Sequence, residues 1–245
     1  MITCNLDVMS YRIPSLLLIA SLCLLTHSAS AQMAKAPRYR PPIPSAPLVR
    51  VDGHSRGPDD VILTLTVLTP EHVGLTTKEQ PSLFWYQSKA AKTRFELTIM
   101  EAKGVEPILE IKLQDAPSDG VQHLRLSDYG VRLKPNVEYR WTVAMIVDPD
   151  NRSRDVVASG VIKRVDPPAT LKDRLGKSSP AEVAFVYADE GIWYDSLEAL
   201  SDEIENQPQN RGLHEQRAVF FMQVGLKEAA LHEMKLASPP PVPQR

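Results

Sequence analysis

The sequence predicts an α+β protein in which an antiparallel β-sandwich is followed by a small pair of helical hairpins. Three observations indicate this architecture. Apolar residues recur with a period of two between residues 61 and 165, a helical period follows, and two stretches of the helical part match at a spacing of 34 residues. Alternation broken by turn residues is typical of antiparallel sheets, whereas a repeat of this length is typical of stacked helical hairpins.

The first 31 residues are typical of a cleavable secretory signal peptide. Arg12 precedes an apolar run at residues 15–25, and the small residues Ala29, Ser30 and Ala31 follow it. The run is too short to span a hydrocarbon core of about 30 Å, so it is a signal and not a membrane anchor. We therefore expect cleavage near Ala31 and a periplasmic or secreted protein.

Both cysteines, Cys4 and Cys23, fall within the first 31 residues, and Cys4 lies upstream of Met9, which is a second possible start of translation. A mature chain without cysteine excludes a disulfide framework, a thiolate metal site and a catalytic thiol. The 28 Lys and Arg residues against 30 Asp and Glu residues disfavour nucleic-acid binding. We expect no cofactor, no metal site and no stable membrane insertion of the mature chain.

Proline marks the ends of the mature chain. The sequence has 21 prolines against 11 glycines, and they crowd at residues 37–47 and 239–243. Such runs favour extended polyproline II conformation, so we interpret residues 32–58 as a solvated linker and residues 238–245 as a tail. The first run also carries three basic residues that would attract an acidic surface: Lys35, Arg38 and Arg40.

Seven strands are predicted between residues 59 and 166, the proposed sandwich domain. They lie at residues 61–68, 82–86, 94–100, 107–113, 122–126, 138–147 and 156–164. Clusters of Pro, Asp, Asn and Gly separate them, as expected for the turns of an all-antiparallel domain.

A proline turn before the sixth strand is similar to the start of a strand in fibronectin-type domains. There a tyrosine packs its ring in the core and bonds its hydroxyl to nearby backbone, and the equivalent residue here is Tyr139. Trp85 and Trp141 are candidate core residues from opposite sheets, although a ligand-stacking role is the alternative. The resemblance favours a sandwich of the fibronectin or immunoglobulin kind.

Residues 167–237 form the predicted helical region. Helices are expected at residues 180–189, 192–206, 213–224 and 227–236. The residues that match at a spacing of 34 are Ala184 and Ala218, Tyr187 and Phe221, Gly191 and Gly225, Ile192 and Leu226, Ser196 and Ala230, and Leu200 and Met234. Their order is similar to that of tetratricopeptide repeats. Because two repeats are fewer than usually needed for stability, we expect them to pack on the sandwich.

The resemblance to tetratricopeptide repeats implies an extended peptide ligand in the groove lined by the first helix of each hairpin. The repeat phase places Ala188 in this groove together with five candidate partner-binding residues: Phe185, Asp189, Val219, Met222 and Gln223. The alternative is that these side chains bury the helices against the sheets. We expect a non-enzymatic interaction or scaffold module whose partner is another envelope protein or peptide.

A carbohydrate-binding module or a hydrolase that uses the sandwich loops is the alternative function. Its supporting feature is the polar loop at residues 71–80. Known chemical motifs are incomplete: Gly176-Lys177-Ser178 lacks the first glycine of a phosphate loop, and His214 and His232 each lack the second histidine of a zinc-protease helix.

Three stretches, residues 68–86, 137–141 and 191–200, resemble the bacterial family known as domain of unknown function 928. The resemblance extends over about residues 63–225. It implies a secreted protein of sheets and helices, and it brings no assigned activity or site residues.

Overall fold

The described part of the chain contains nine β-strands followed by five α-helices, which confirms the predicted α+β class. The computed structural model describes residues 35–42, 49–56, 62–90, 94–113 and 118–239. The strands are β1 Gly53–Arg56, β2 Ile62–Val67, β3 Gly74–Thr76, β4 Ser82–Gln87, β5 Phe95–Glu101, β6 Pro107–Leu113, β7 Gly120–Arg125, β8 Glu138–Met145 and β9 Val156–Arg164. The helices are α1 Ala169–Lys177, α2 Pro180–Asp189, α3 Trp193–Asn206, α4 Arg211–Met222 and α5 Lys227–Ala237.

The predicted signal peptide, with Cys4 and Cys23, lies outside the described residues, as does the predicted tail beyond residue 239. Among the described residues, no helix combines the length and the apolar character that crossing a membrane requires. The predicted boundary between the sheet and helical regions stays a prediction.

The strands form two sheets, in the orders β1-β2-β4-β7 and β3-β9-β8-β5-β6. Every predicted strand is present, and each neighbouring pair is antiparallel except β3 and β9, which run parallel. The expectation of purely antiparallel sheets is therefore wrong at this edge. Strands β1 and β3 were not predicted, because they are short and lie in segments interpreted as linker and loop.

Aromatic side chains from both sheets fill the core, as the alternation predicts. Trp85 of β4 is 4% exposed and Trp141 of β8 is fully buried, so core packing is confirmed for both indoles. The Tyr139 ring is buried as well, and the backbone N–H of Lys134 donates to its hydroxyl at 3.1 Å. The predicted contact between this tyrosine and nearby backbone is confirmed.

The 34-residue repeat appears in the backbone of the helical region. Helix α3 begins at Trp193 and α5 begins at Lys227. The glycines before them, Gly191 and Gly225, have φ angles of 74° and 75°, in the left-handed region that favours glycine. Each turn also closes with a matched hydrogen bond: Ile192 donates to Tyr187 at 2.9 Å and Leu226 donates to Phe221 at 3.1 Å. Helix α1 was not predicted, since it buries only Leu171.

Two consecutive aromatic residues of α3 form hydrogen bonds that join the helical region to the sheets. The Trp193 indole N–H donates to the carbonyl oxygen of Leu68 at 2.9 Å. The Tyr194 hydroxyl accepts a hydrogen bond from the Trp141 indole at 2.8 Å and lies 3.1 Å from the Thr69 hydroxyl, to which it donates. One continuous cluster of buried side chains therefore contains residues from both sheets and from the helices.

Candidate functional site

The predicted groove between α2 and α4 holds an extended stretch of the chain's own N-terminal region, residues 35–42. We call this stretch the docked segment. The backbone N–H of Arg40 donates to the carbonyl oxygen of Ala188 at 3.0 Å. The Gln223 side chain binds the segment twice: its oxygen accepts from the backbone N–H of Tyr39 at 2.9 Å, and its amide donates to the carbonyl oxygen of Pro37 at 2.7 Å.

Tyr39 anchors the docked segment by inserting its ring between the helices. Its side chain is 7% exposed. The ring meets Trp193 edge to face at 5.1 Å and Phe220 at 6.4 Å between centroids, and those two rings stack on each other at 4.3 Å. Burial raises the pKa of Tyr39, with a further contribution from Tyr194, so its hydroxyl remains protonated.

The Tyr39 hydroxyl forms a hydrogen bond with His72, which lies in the loop that follows β2. The two rings stack with centroids 5.9 Å apart, and the hydroxyl lies 3.3 Å from Nε2. The other ring nitrogen, Nδ1, lies 2.9 Å from the carbonyl oxygen of Val73 and must donate to it. In the neutral ring Nε2 is then an acceptor, so the Tyr39 hydroxyl donates to it.

Charge complementarity holds the segment at the C-terminal end of α2. The Arg40 guanidinium lies 2.8 Å from Asp189, which also pairs with Arg174 of α1 at 3.0 Å. Arg174 in turn bonds Glu190. An acidic pair at a helix C-terminus is unfavourable alone, because the helix dipole is negative there, so the two arginines compensate it.

An open pocket of about 630 Å³ lies beside the docked segment, between it and helices α1 and α2. Phe185 forms part of its wall, with the Lys35 ammonium 5.9 Å from the ring centroid. The charged residues of its lining are mainly cationic: Lys35, Arg38, Arg40, Arg174 and Lys177, against Glu182 and Asp189.

The described contacts place three of the five predicted partner-binding residues beside the docked segment. These are Phe185, Asp189 and Gln223. Met222 is 51% exposed, and Val219 offers its carbonyl oxygen to the Gln223 amide at 3.3 Å. The interpretation of the first proline run as a solvated linker is wrong for residues 35–42, because Tyr39 is buried and the backbone is bonded to the helices.

Sequence reasoning missed Tyr39, His72, Trp193 and Phe220. One of them could have been identified from the sequence, since Tyr39 is the only Phe, Tyr or Trp between residues 32 and 58. A single aromatic side chain in a proline-rich stretch is a typical anchor, because the stiff flanking backbone loses little entropy when the ring is buried. The other three come together only through the tertiary fold.

The alternative site, the polar stretch at residues 71–80, contains β3 and is hydrogen-bonded to α3. Asp195 is fully buried and accepts hydrogen bonds from the Thr76 hydroxyl at 2.5 Å, the Thr77 backbone at 3.0 Å and the Thr77 hydroxyl. Lys78 pairs with Glu198 at 3.1 Å. Burial raises the pKa of Asp195, and the hydrogen bonds from both threonines oppose this. These groups satisfy one another inside the protein, which is typical of structural anchoring.

A second buried polar network joins α4 to α5. Glu233 has no exposed surface, and its two oxygens accept from His214 Nδ1 and from the Arg217 guanidinium, each at 2.7 Å. Arg217 also donates to the Ser201 hydroxyl at 3.1 Å. Within the described ranges, no three His, Cys, Asp or Glu side chains are arranged to hold a metal ion.

Comparison with known proteins identifies the chain by family. No curated protein is significantly similar to it. The model of the family described as Domain of Unknown Function (DUF928) matches residues 51–234, which include both sheets and the groove residues of α2, α3 and α4 but not the docked segment. The chain therefore belongs to the DUF928 family.

Proposed function

We propose that the protein is a non-enzymatic interaction or scaffold module of the bacterial cell envelope, exported by its signal peptide. Its groove between α2 and α4 binds an extended segment of another envelope protein or peptide. One observation carries the proposal: the groove already accommodates an extended proline-rich peptide, the docked segment, through backbone hydrogen bonds and a buried aromatic ring. Recognition of extended peptides commonly combines these two kinds of contact.

We also propose a more detailed architecture for the helical hairpins and for the two sheets, and it is consistent with this function. The two helical hairpins are tetratricopeptide-like, and their matched glycines and matched turn hydrogen bonds favour this assignment. The sheets are proposed to form a fibronectin- or immunoglobulin-like sandwich. In favour of it, the first, second and fifth predicted strands share one sheet, while the third, fourth, sixth and seventh share the other. Such an interleaved division is typical of Greek-key sandwiches.

A photocrosslinking experiment in living cells tests the interaction. A photoreactive phenylalanine analogue at Met222, which is 51% exposed on α4, is expected to form an adduct with an envelope protein. The matched control is the same analogue at Val105, which is 92% exposed on the β5–β6 turn. Adducts at neither position, or equal adducts at both, would contradict a specific partner at the groove.

A further inference from the structure

We infer that the groove is a receptor for a proline-flanked Tyr-Arg peptide of a partner protein. The docked segment occupies the same site as an intramolecular competitor of that peptide. The inference rests on the proposed interaction function and specifies the ligand of the same site. The docked segment precedes the region that the family model matches, whereas the receptor residues lie within it. The receptor residues are thus part of the matched domain, and the docked segment lies outside the match.

The first subsite is an aromatic slot formed by Trp193, Phe220 and His72. It surrounds Tyr39 with ring contacts at 5.1, 6.4 and 5.9 Å, and His72 also faces the hydroxyl. The slot has an apolar body and a polar end, so it selects tyrosine over an aliphatic side chain, which would leave His72 Nε2 without its hydrogen-bond donor.

The second subsite reads a basic residue directly after the tyrosine. Asp189 pairs with Arg40 at 2.8 Å. Arg174 already neutralises part of the acidic charge, because it pairs with both Asp189 and Glu190. The subsite therefore adds specificity for a cation at this position more than it adds affinity, as is usual for a half-exposed ion pair.

The hydrogen bonds with Gln223 and Ala188 involve only the backbone of the segment, so they fit any extended peptide. Gln223 binds the N–H of Tyr39 and the carbonyl of Pro37, and the Ala188 carbonyl accepts from Arg40. The groups held by these hydrogen bonds, by the aromatic slot and by Asp189 lie between residues 37 and 40, and prolines stand on both sides of the tyrosine. A separate peptide with this pattern can make the same contacts, and its prolines reduce the entropy lost on binding.

The occupant is a partner protein and not a second copy of this chain. Tethering gives the docked segment an effective concentration that reaches about the millimolar range for a short linker. An identical segment from a second copy gains no contact over the tethered one. A partner peptide seated in the same way can gain further contacts, because the space of about 630 Å³ between the docked segment and helices α1 and α2 accommodates bulkier side chains against Arg174, Glu182 and Phe185.

The first experiment measures peptide binding to the full mature chain. The probe is a fluorescently labelled peptide with the sequence of residues 34–42, and the chain carries Tyr39→Ala and Arg40→Ala to weaken its own segment. We expect saturable binding at least about tenfold tighter than to the native chain, because the competitor is weakened. Replacing the tyrosine of the peptide by alanine is expected to weaken binding about tenfold or more. Introducing Asp189→Asn into the receptor is expected to weaken binding by about two- to fivefold, as for a half-exposed ion pair.

The second experiment uses the native chain, so it does not depend on how well the double variant folds. Hydrogen exchange at the Tyr39 and Arg40 amides is slow while they donate to Gln223 and Ala188. Excess probe peptide is expected to accelerate exchange at these two amides without affecting those of β8.

Three results would overturn the inference. They are a folded double variant that does not bind the probe, equal affinity for the probe and its alanine form, and a concentration-dependent dimer that the probe dissociates. Failure of the envelope-partner proposal is separate, because it appears as absence of the Met222 adduct in cells whether or not the purified groove binds the probe.

Discussion

Glu233 is a buried carboxylate at the contact between α4 and α5. Burial alone would raise its pKa, but the hydrogen bonds from His214 and Arg217 and their charges outweigh it and hold the pKa below its ordinary value of 4.5. Since the pKa is lower in the folded than in the unfolded chain, the carboxylate contributes stability above about pH 4.5. That contribution is lost as the pH falls through the folded pKa.

Glu233→Gln is expected to lower the free energy of unfolding at neutral pH by about 3 to 5 kcal/mol, because it leaves the Arg217 charge buried without a counter-ion. The variant should also lose less stability than the native chain on acidification, since it lacks the titrating group. Urea unfolding at a series of pH values between neutral and acidic measures both effects. Glu215→Gln, at a half-buried position on the neighbouring helix α4, is the control and should change stability by no more than about 0.5 kcal/mol. Parallel pH curves for the native chain and the Glu233 variant would show that this carboxylate is not the titrating group.

At the scale of elements, the two helical hairpins provide a matched pair of glycines with different surroundings. Gly191 and Gly225 have nearly the same positive φ, so replacing either with alanine should cost about 1 to 2 kcal/mol of stability. A Cβ at Gly191 would lie 2.6 Å from the carbonyl oxygen of Arg40, in the docked segment. At Gly225 the nearest atom would be a Glu71 oxygen at 3.5 Å, which is an ordinary contact.

Gly191→Ala is therefore expected to release the docked segment as well as to destabilise the fold, whereas Gly225→Ala only destabilises it. Limited proteolysis in the stretch at residues 35–42 measures the release, and thermal unfolding measures the shared cost. The position of the segment against the Gly191 turn would be refuted if both variants were cleaved there at the native rate.

The same elements show what the sequence could predict. Helices α2 to α5 and seven strands follow from local periodicity, because each buries one continuous face or alternate residues. Strands β1 and β3 and helix α1 are too short or too polar to show a period, and they form because neighbouring elements supply their hydrogen bonds and contacts. The groove residues Phe185, Asp189 and Gln223 follow from the repeat phase. The occupant of the groove does not, because the contact between Tyr39 and Phe220 spans most of the chain and leaves no local pattern.

At the scale of the whole molecule, the sheets and helices share one buried cluster, and we expect them to unfold together. Tyr194 is central to this coupling, because its fully buried hydroxyl links Trp141 of β8 to Thr69 beyond β2. In the native chain, the helical circular dichroism band and the β-sheet amide I infrared band should therefore change at the same temperature. Tyr194→Phe leaves the Trp141 N–H and the Thr69 hydroxyl without this partner and should cost about 1 to 3 kcal/mol.

The informative result is how the Tyr194→Phe variant unfolds. If the shared core couples the two regions, both signals shift to a lower temperature together, because the lost bonds join a helix to a sheet. Tyr129→Phe, at a ring that is 44% exposed, is the control and should leave both signals unchanged. Two separate transitions in the native chain, or a shift of the helical signal alone in the variant, would mean that the helical region unfolds independently. The groove, which is built from helices anchored through Trp193 and Tyr194, would then owe its shape to the hairpins alone and not to their attachment to the sheets.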